Sequence, residues 1–325
     1  RRTPKYLDAS FKLYERLFQP LQHLFTSSRL IIVPNRAVEQ ISFESLISSD
    51  SLKYNMTFVD AKLDFLIKNY EFKYGYSISM ILDSEKDRNV TFSKDILAFA
   101  PVFDRSVTFS QDVTDFLKTT LGERAPDPPR LARLMGSARE VKNISKIMKR
   151  KNGWLASWTS KESDILLRKR STEHRLKTLN LNDYRYIHFA THSFANQDDP
   201  ASSGIILETN GTNGEDGILY ASEVFGLDLS AELVVLSSCD TAKSSESDSG
   251  GLAGFARGFI YAGAQNLVAS LWPSDDVGAS ILMEQFYREL ADGHPIDKAL
   301  RNAKLKLINS GGPIAKPYYW SGFIH

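Results

Sequence analysis

The second half of the chain alternates short apolar segments with amphipathic ones, and this alternation limits the possible folds most strongly. Four apolar segments are predicted to be strands, residues 184–191, 204–208, 232–237 and 266–272. Residues 232–237 (ELVVLS) form a continuous apolar run, which is typical of a parallel strand covered on both faces. Helices are predicted over residues 252–263, 276–291 and 295–309. Strands that alternate with helices predict an α/β fold with a mostly parallel sheet between helices.

Length and composition indicate an ordinary globular protein. The chain has 325 residues, which suggests two domain-sized units, and a Pro-rich segment at residues 122–129, which begins with Gly, marks a boundary between them. We therefore expect domains at 1–129 and 130–325. Because the sequence does not begin with Met, we also expect it to be a piece excised from a longer protein.

Charge, hydropathy and cysteine content exclude several functions. The net charge of +1 gives no support for direct nucleic-acid binding, and no apolar run is long enough to predict a membrane span. The chain has one cysteine, so an internal disulfide is impossible and a reducing, cytoplasmic location is expected. No Cys pair or HExxH motif predicts a metal site, and no cofactor is expected.

His192 and Cys239 each follow a predicted strand, at the end where α/β sheets place their sites. Neighbouring parallel strands lie about 4.8 Å apart, so groups at two strand ends can meet across a shallow cleft. A neighbouring imidazole can take the proton of a thiol and later protonate a leaving amine. Each residue alone has a simpler interpretation as packing, and His188, in the middle of its strand, is predicted to be a core histidine.

A series of segments, in order along the chain, strengthens this prediction. They are residues 188–193 (HFATHS), 236–241 (LSSCDT), 251–259 (GLAGFARGF), 262–265 (AGAQ), 270–276 (SLWPSDD) and 320–323 (WSGF), preceded by 29–34 (RLIIVP) and 41–46 (ISFESL). Together they resemble the motifs of the CHAT domain family, which is similar to caspases and separases. The resemblance implies a caspase-like, mostly parallel α/β sheet flanked by helices, with residues 1–129 as a non-catalytic caspase-like half and 130–325 as the catalytic half.

The same resemblance assigns site residues. It implies a cysteine endopeptidase with His192 as general acid–base and Cys239 as nucleophile, and with the backbone N–H groups of Ser193 and Cys239 as the oxyanion hole. The family usually has Gly where this chain has Ser193. Serine supplies the same N–H unless the backbone there requires a positive φ.

Three acidic residues are candidates for binding a basic P1 side chain of the substrate. Asp275 and Asp276 follow the strand at residues 266–272, where the similar separases carry an acidic residue for this purpose, and Asp240 is next to the proposed nucleophile. Carboxylate and guanidinium groups form strong paired hydrogen bonds. The alternative for Asp275 and Asp276 is helix capping, because they stand where a helix is predicted to begin.

The resemblance also implies partners. The expected substrate is a protein, and the expected regulator is another protein or an adjoining sensor domain of repeat type, as in family members that act as switched proteases in bacterial defence. The polar segment 240–251 is a candidate for the loop that a regulator orders, and the alternative is an ordinary disordered surface loop. The alternative function is a catalytically silent CHAT-like scaffold that binds a partner.

Overall fold

The structure is a computed structural model that describes most of the chain. The described residues are 3–35, 38–49, 63–75, 77–78, 81–82, 90–103, 133–150, 162–194, 199–209, 214–237, 239–240, 250–272 and 274–325. The linker at 122–129 and most of the polar segment 240–251 lie outside them.

Twelve strands occur in this part of the chain. In order they are β1 (Arg29–Ile32), β2 (Glu71–Tyr74), β3 (Lys94–Ala100), β4 (Glu162–Leu167), β5 (Tyr184–Phe189), β6 (His192–Phe194), β7 (Gly204–Ile206), β8 (Ile218–Tyr220), β9 (Leu233–Leu236), β10 (Cys239–Asp240), β11 (Leu267–Ser270) and β12 (Phe323–Ile324). Eight α-helices accompany them: α1 (Thr3–Leu13), α2 (Met135–Arg150), α3 (Glu173–Thr178), α4 (Ala221–Val224), α5 (Gly250–Tyr261), α6 (Asp276–Ala291), α7 (Ile296–Ser310) and α8 (Pro317–Trp320).

Six of the strands form the main sheet, in the order β12-β11-β9-β5-β3-β4. All of its pairs are parallel except β11 with β12. Because side chains alternate along a strand, each face carries its own apolar set. Ala98, Tyr186 and Val235 face the core formed with α2, α6 and α7. Leu97 and Val234 face the opposite core, which includes apolar residues of α3, α4 and α5.

The expected α/β architecture with a mostly parallel, helix-flanked sheet is therefore confirmed. Burial on both faces explains why residues 232–237 form a continuous apolar run rather than an alternating one. Helix α6 has the predicted bounds, and α5 and α7 begin and end within two residues of the predicted ones. None of the helices in the described ranges has both the length and the apolar character needed to cross a bilayer.

Two predictions in the N-terminal part are wrong. The sequence of residues 60–70 predicts a helix, but from Leu63 onward this segment contains a β-bridge between Phe65 and Ile47 and the single 3₁₀ turn Leu66–Lys68. The apolar residues of 76–82 predict a strand, but among its described residues Ile78, Ile81 and Leu82 are helical, and β2 lies earlier, at Glu71–Tyr74. Short apolar runs do not distinguish a strand from a helix by periodicity, because both types of element bury such residues.

The N-terminal elements dock against the edge of the main sheet. Strands β1 and β2 form a two-stranded parallel sheet, and the N–H of Tyr74 at the end of β2 donates to the carbonyl of His325, 2.6 Å away. The guanidinium of Arg301 on α7 donates to the carbonyls of Ile67, Lys68 and Tyr70. Strand β3, which precedes residue 129, pairs with β4 and β5, which follow it. The domain boundary at 129 stays a prediction.

His325 makes the stability of this junction depend on pH. Its imidazole is buried and donates a hydrogen bond from Nε2–H to Asn266 Oδ1, 3.0 Å away, and burial, with the nearby charge of Lys73, lowers its pKa from 6.5 to about 3. A neutral buried imidazole stabilises the fold above pH 6.5, and that contribution is lost as the pH falls towards 3.

We expect His325→Gln to flatten the acid side of the stability profile. Between pH 7 and pH 4.5 the wild-type chain should lose about 2–3 kcal/mol more of its free energy of unfolding than this variant, at about 1.4 kcal/mol per pKa unit. Urea unfolding at the two pH values measures the difference, and His23→Gln, at an exposed histidine, is the control. Equal losses in the wild-type chain and the His325 variant would contradict the assignment.

Candidate active site

The two central strands of the main sheet continue beyond it into a second, smaller sheet. After β5 the chain passes through Ala190 and Thr191 into β6, and after β9 it passes through residues 237–238 into β10. The smaller sheet has the order β10-β6-β7-β8. The site predicted from the sequence therefore lies beyond the carboxyl ends of β5 and β9, where α/β sheets form their clefts.

Strand register brings His192 and Cys239 together. In the main sheet Phe189 of β5 pairs with Leu236 of β9, and the strands are parallel. Three residues further along each strand, His192 pairs with Cys239 in the parallel ladder of β6 and β10. Equal spacing preserves the register, so the backbones of the two residues are direct neighbours. The side chains of Cys239 and Asp240 lie outside the described part of the structure.

His192 is enclosed rather than exposed at the strand end. Only 2% of its surface is accessible to solvent, and its ring stacks on the ring of Phe103, with centroids 5.3 Å apart and an angle of 28° between the planes. The preceding residue, Thr191, donates its hydroxyl to the carbonyl of Ile206 at the end of β7. The imidazole thus lies between a fixed strand and a buried aromatic ring.

The bend that carries Phe103 has an unusual backbone. Val102 and Phe103 follow the end of β3 with φ values of 73° and 50°, and the only other non-glycine residue with positive φ in the described ranges is Arg168. Such a conformation costs about 1–3 kcal/mol per residue and persists only where the surroundings fix it. Nothing in the sequence near Pro101 indicated this contact, because it depends on a bend that β-branched and aromatic residues rarely adopt.

Ser193 has a backbone compatible with its proposed role. It pairs with Asp240 of β10 on one side and with Ile205 of β7 on the other. The φ angle of Ser193 is not positive, so a side chain at this position causes no backbone strain. The replacement of the family's usual Gly by Ser is therefore tolerated by the local geometry.

Asp275 and Asp276 are both engaged at helix N-termini. Asp275 is the N-cap of α6 and accepts the N–H of Gly278 at 2.9 Å. Asp276 Oδ2 accepts the N–H of Gly136, at the start of α2, at 2.6 Å, and burial raises the pKa of this carboxyl group. A Cβ at Gly136 would lie 2.7 Å from the Asp276 carboxylate, so glycine is required for this close approach.

His188 lies in the core, as predicted. Its side chain is fully buried, with Nε2 2.8 Å from Glu140 Oε1 on α2 and Nδ1 3.2 Å from the hydroxyl of Tyr287 on α6. This network connects β5 to the helices on one face of the sheet. Buried polar groups of this kind are stable only when they are hydrogen-bonded, which explains a histidine in an apolar strand.

A cluster of three carboxylates lies on the opposite face of the sheet. Glu173, Glu215 and Glu223 are close enough together to hold a metal ion, but each is 2.7 Å from the ammonium group of Lys177. Burial raises the pKa of Glu173 to about 7, and Lys177 opposes the shift. The cluster is an ion-pair network centred on lysine.

Comparison with known proteins identifies the family. The family model described as "CHAT domain" matches residues 8–325, essentially the whole chain. The chain therefore belongs to the CHAT domain family, which confirms the resemblance drawn from its motifs.

The matches to individual relatives cover a smaller part of the chain than the family model does. The chain is 34% identical over 107 residues to tetratricopeptide repeat protein 28 from Homo sapiens and 33% identical over 106 residues to the protein of the same name from Mus musculus. Each match covers 33% of this chain and 4% of the relative, so the chain spans a small part of these proteins.

Among solved structures, the chain is similar to the Arg-specific cysteine proteinase gingipain R, with a TM-score of 0.48 and 10% identity, over 97% of this chain and 65% of that one. It is also similar to the complex of the pro- and mature domains of RgpB from Porphyromonas gingivalis, with a TM-score of 0.48 and 8% identity, over 97% and 66% of the two chains.

Proposed function

We propose that this chain is a cysteine endopeptidase that cleaves a protein substrate with His192 and Cys239. The observation that carries the proposal is the in-register pairing of these two residues on adjacent parallel strands. Directly paired residues of neighbouring strands project their side chains from the same face of a sheet. We therefore propose that the thiol of Cys239 and the imidazole of His192 share a proton.

The proposed reaction has two stages. The imidazole of His192 takes the thiol proton, and the sulfur of Cys239 attacks the carbonyl carbon of the scissile peptide bond. An S–C bond forms, the carbonyl oxygen becomes an oxyanion, and the C–N bond then breaks as the imidazolium donates its proton to the leaving amine. In the second stage His192 takes a proton from water, whose oxygen attacks the thioester, and the acid product and free thiol are released.

The backbone N–H groups of Ser193 and Cys239 are the proposed donors to the oxyanion. Ser193 is the middle residue of β6 and Cys239 the first residue of β10, so strand pairing holds both backbones before the substrate binds. Donors that need no reorganisation are the effective ones, and removing one such donor typically costs about a hundredfold in rate. The extended backbone at Ser193 supports this assignment, because it needs no glycine.

We also propose a preference for a basic P1 side chain. Asp240, Asp275 and Asp276 remain the proposed acidic contacts, but the carboxylates of Asp275 and Asp276 each already accept a helix N-terminal N–H. Asp240 is therefore the first residue to test. We infer that a partner protein or an adjoining repeat-type sensor domain switches the enzyme, in bacterial defence and in the cytoplasm.

A peptide-library cleavage profile tests the proposal. The wild-type chain should cleave a subset of peptides with a shared P1 residue, Cys239→Ala should cleave none, and Asp240→Asn should lose activity mainly towards basic P1 residues. The second candidate is a silent scaffold, which the tetratricopeptide-repeat names of the curated relatives favour. Cleavage that persists in Cys239→Ala would exclude Cys239 as the nucleophile, and failure of a peptidyl thiol-directed probe to label Cys239 would favour the scaffold.

A further inference from the structure

The contact between Phe103 and His192 depends on a constrained bend at the end of strand β3. Strand β3 is fixed on both sides by β4 and β5, and its Phe99 carbonyl accepts the N–H of Ala190, two residues before His192. The carbonyl of Val102 accepts the N–H of Leu134 at 2.9 Å, just before α2. The left-handed backbone at Val102 and Phe103 then turns the chain towards the end of β5.

Burial shows that this bend is part of the site and not a loose loop. Val102 is 1% exposed, and Phe103 and His192 are each 2% exposed. Val102 packs in the same core as Ala190. An aromatic ring held in this way limits rotation of the neighbouring imidazole. If the imidazole turned, it would either clash with the ring of Phe103 or lose the stacking contact.

We propose that Phe103 is a positioning residue for the general acid–base, and that its ring face both orients His192 and favours the protonated imidazole. The inference rests on the proposed function of His192 and Cys239. A cation over the face of an aromatic ring, within about 6 Å of its centroid, is attracted by the ring's quadrupole. The ring centroids here are 5.3 Å apart, with nearly parallel planes.

The consequence is a more stable pair of imidazolium and thiolate. Favouring the imidazolium draws the thiol proton towards His192, so Cys239 ionises at a lower pH. Replacing the ring by an aliphatic side chain of similar size keeps the packing and removes the attraction. The effect should therefore appear in the ionisation of Cys239 as well as in the rate of catalysis.

The chain's single cysteine makes this measurement simple, because every alkylation event reports on Cys239. The rate of iodoacetamide alkylation as a function of pH gives the apparent pKa of the thiol.

The titratable groups on strands that pair with β6 are Cys239 and Asp240 on β10, since β7 carries none. The proteins compared are wild type, His192→Ala, Phe103→Leu, Phe103→Met and Phe103→Tyr.

We expect a wild-type thiol pKa below the usual value of about 8.5, and a rise of about 0.5–1 unit in Phe103→Leu and in Phe103→Met. Both variants should show kcat reduced about 3- to 10-fold with KM unchanged. Phe103→Tyr keeps the ring face and should restore both values to within about twofold of wild type. Two aliphatic variants are included so that one remains if the other fails to fold. Thermal unfolding shows whether each variant is folded.

The outcomes distinguish a failure of the proposed role of Phe103 from a failure of the proposed pair of His192 and Cys239. If His192→Ala shifts the pH profile and the aliphatic variants at Phe103 match wild type, the positioning role of Phe103 is wrong and the dyad stands. If His192→Ala itself leaves the profile unchanged, the proposed pair of His192 and Cys239 fails.

Discussion

Cys239→Ala and His192→Ala are each expected to lower kcat/KM for a cleavable peptide by about 10³-fold or more. The alanine at 239 removes the atom that forms the covalent intermediate, and the alanine at 192 removes the group that moves the proton. Because the two side chains act in one step, the double variant should be no slower than the slower single variant. Steady-state cleavage of a peptide chosen from the library profile measures all three losses.

The controls distinguish chemistry from folding. His23→Ala removes an exposed histidine in the N-terminal part and should leave kcat/KM within about twofold of wild type. Thermal unfolding of the His192 and Cys239 variants should match wild type to within a few degrees. A His192→Ala protein that is folded and retains more than a tenth of wild-type kcat/KM would show that His192 is not the general base.

Lys304→Met is expected to lower the free energy of unfolding by about 3–5 kcal/mol. Lys304 is fully buried on α7, and its ammonium group donates to the carboxylate of Glu44 and to the carbonyl of Phe323 in β12. Burial lowers the pKa of Lys304 and raises that of Glu44, and each charge opposes the shift in the other. Removing the lysine charge leaves Glu44 buried without its counter-ion, which is the source of the cost.

Two further variants test this explanation by urea unfolding. Lys298→Met makes the same substitution at an exposed position on the same helix and should change stability by less than about 1 kcal/mol. The double variant Glu44→Leu with Lys304→Met removes both charges and should recover most of the loss. If the double variant loses as much as the sum of the losses measured for Glu44→Leu alone and Lys304→Met alone, the ion pair does not explain the effect.

Much of the main sheet could be predicted from the sequence because it is buried on both faces. Strand β9 appears as a continuous apolar run, and helix α6 begins at a recognisable cap, Asp275, so that both elements have strong local signals. His192 and Cys239 could be proposed from the sequence because each follows such a strand. Their pairing could not be predicted in the same way, because it depends on the register of the two strands. Each residue lies three positions after Phe189 or Leu236, which pair with each other.

The rest of the site has no local signal. Phe103 reaches His192 through a left-handed bend that neither Val102 nor Phe103 favours, and the surrounding sheet imposes it. Glu44 and Lys304 are 260 residues apart and look like ordinary surface residues in the sequence. Residues 60–70 are predicted to be a helix, but from Leu63 onward the segment contains one 3₁₀ turn, Leu66–Lys68. In each case tertiary contacts override local preference.

Disulfide trapping tests most directly whether His192 and Cys239 face each other. In His192→Cys the chain has two cysteines, on paired positions of neighbouring strands about 4.8 Å apart, which is within the range of Cα separations that a disulfide spans. Mild oxidation should convert both thiols to an intramolecular disulfide, counted by thiol titration and mass spectrometry. Ser193→Cys, which pairs with Asp240 and projects from the other face, should keep both thiols free. A His192→Cys protein that is folded and keeps two free thiols would contradict the proposed site.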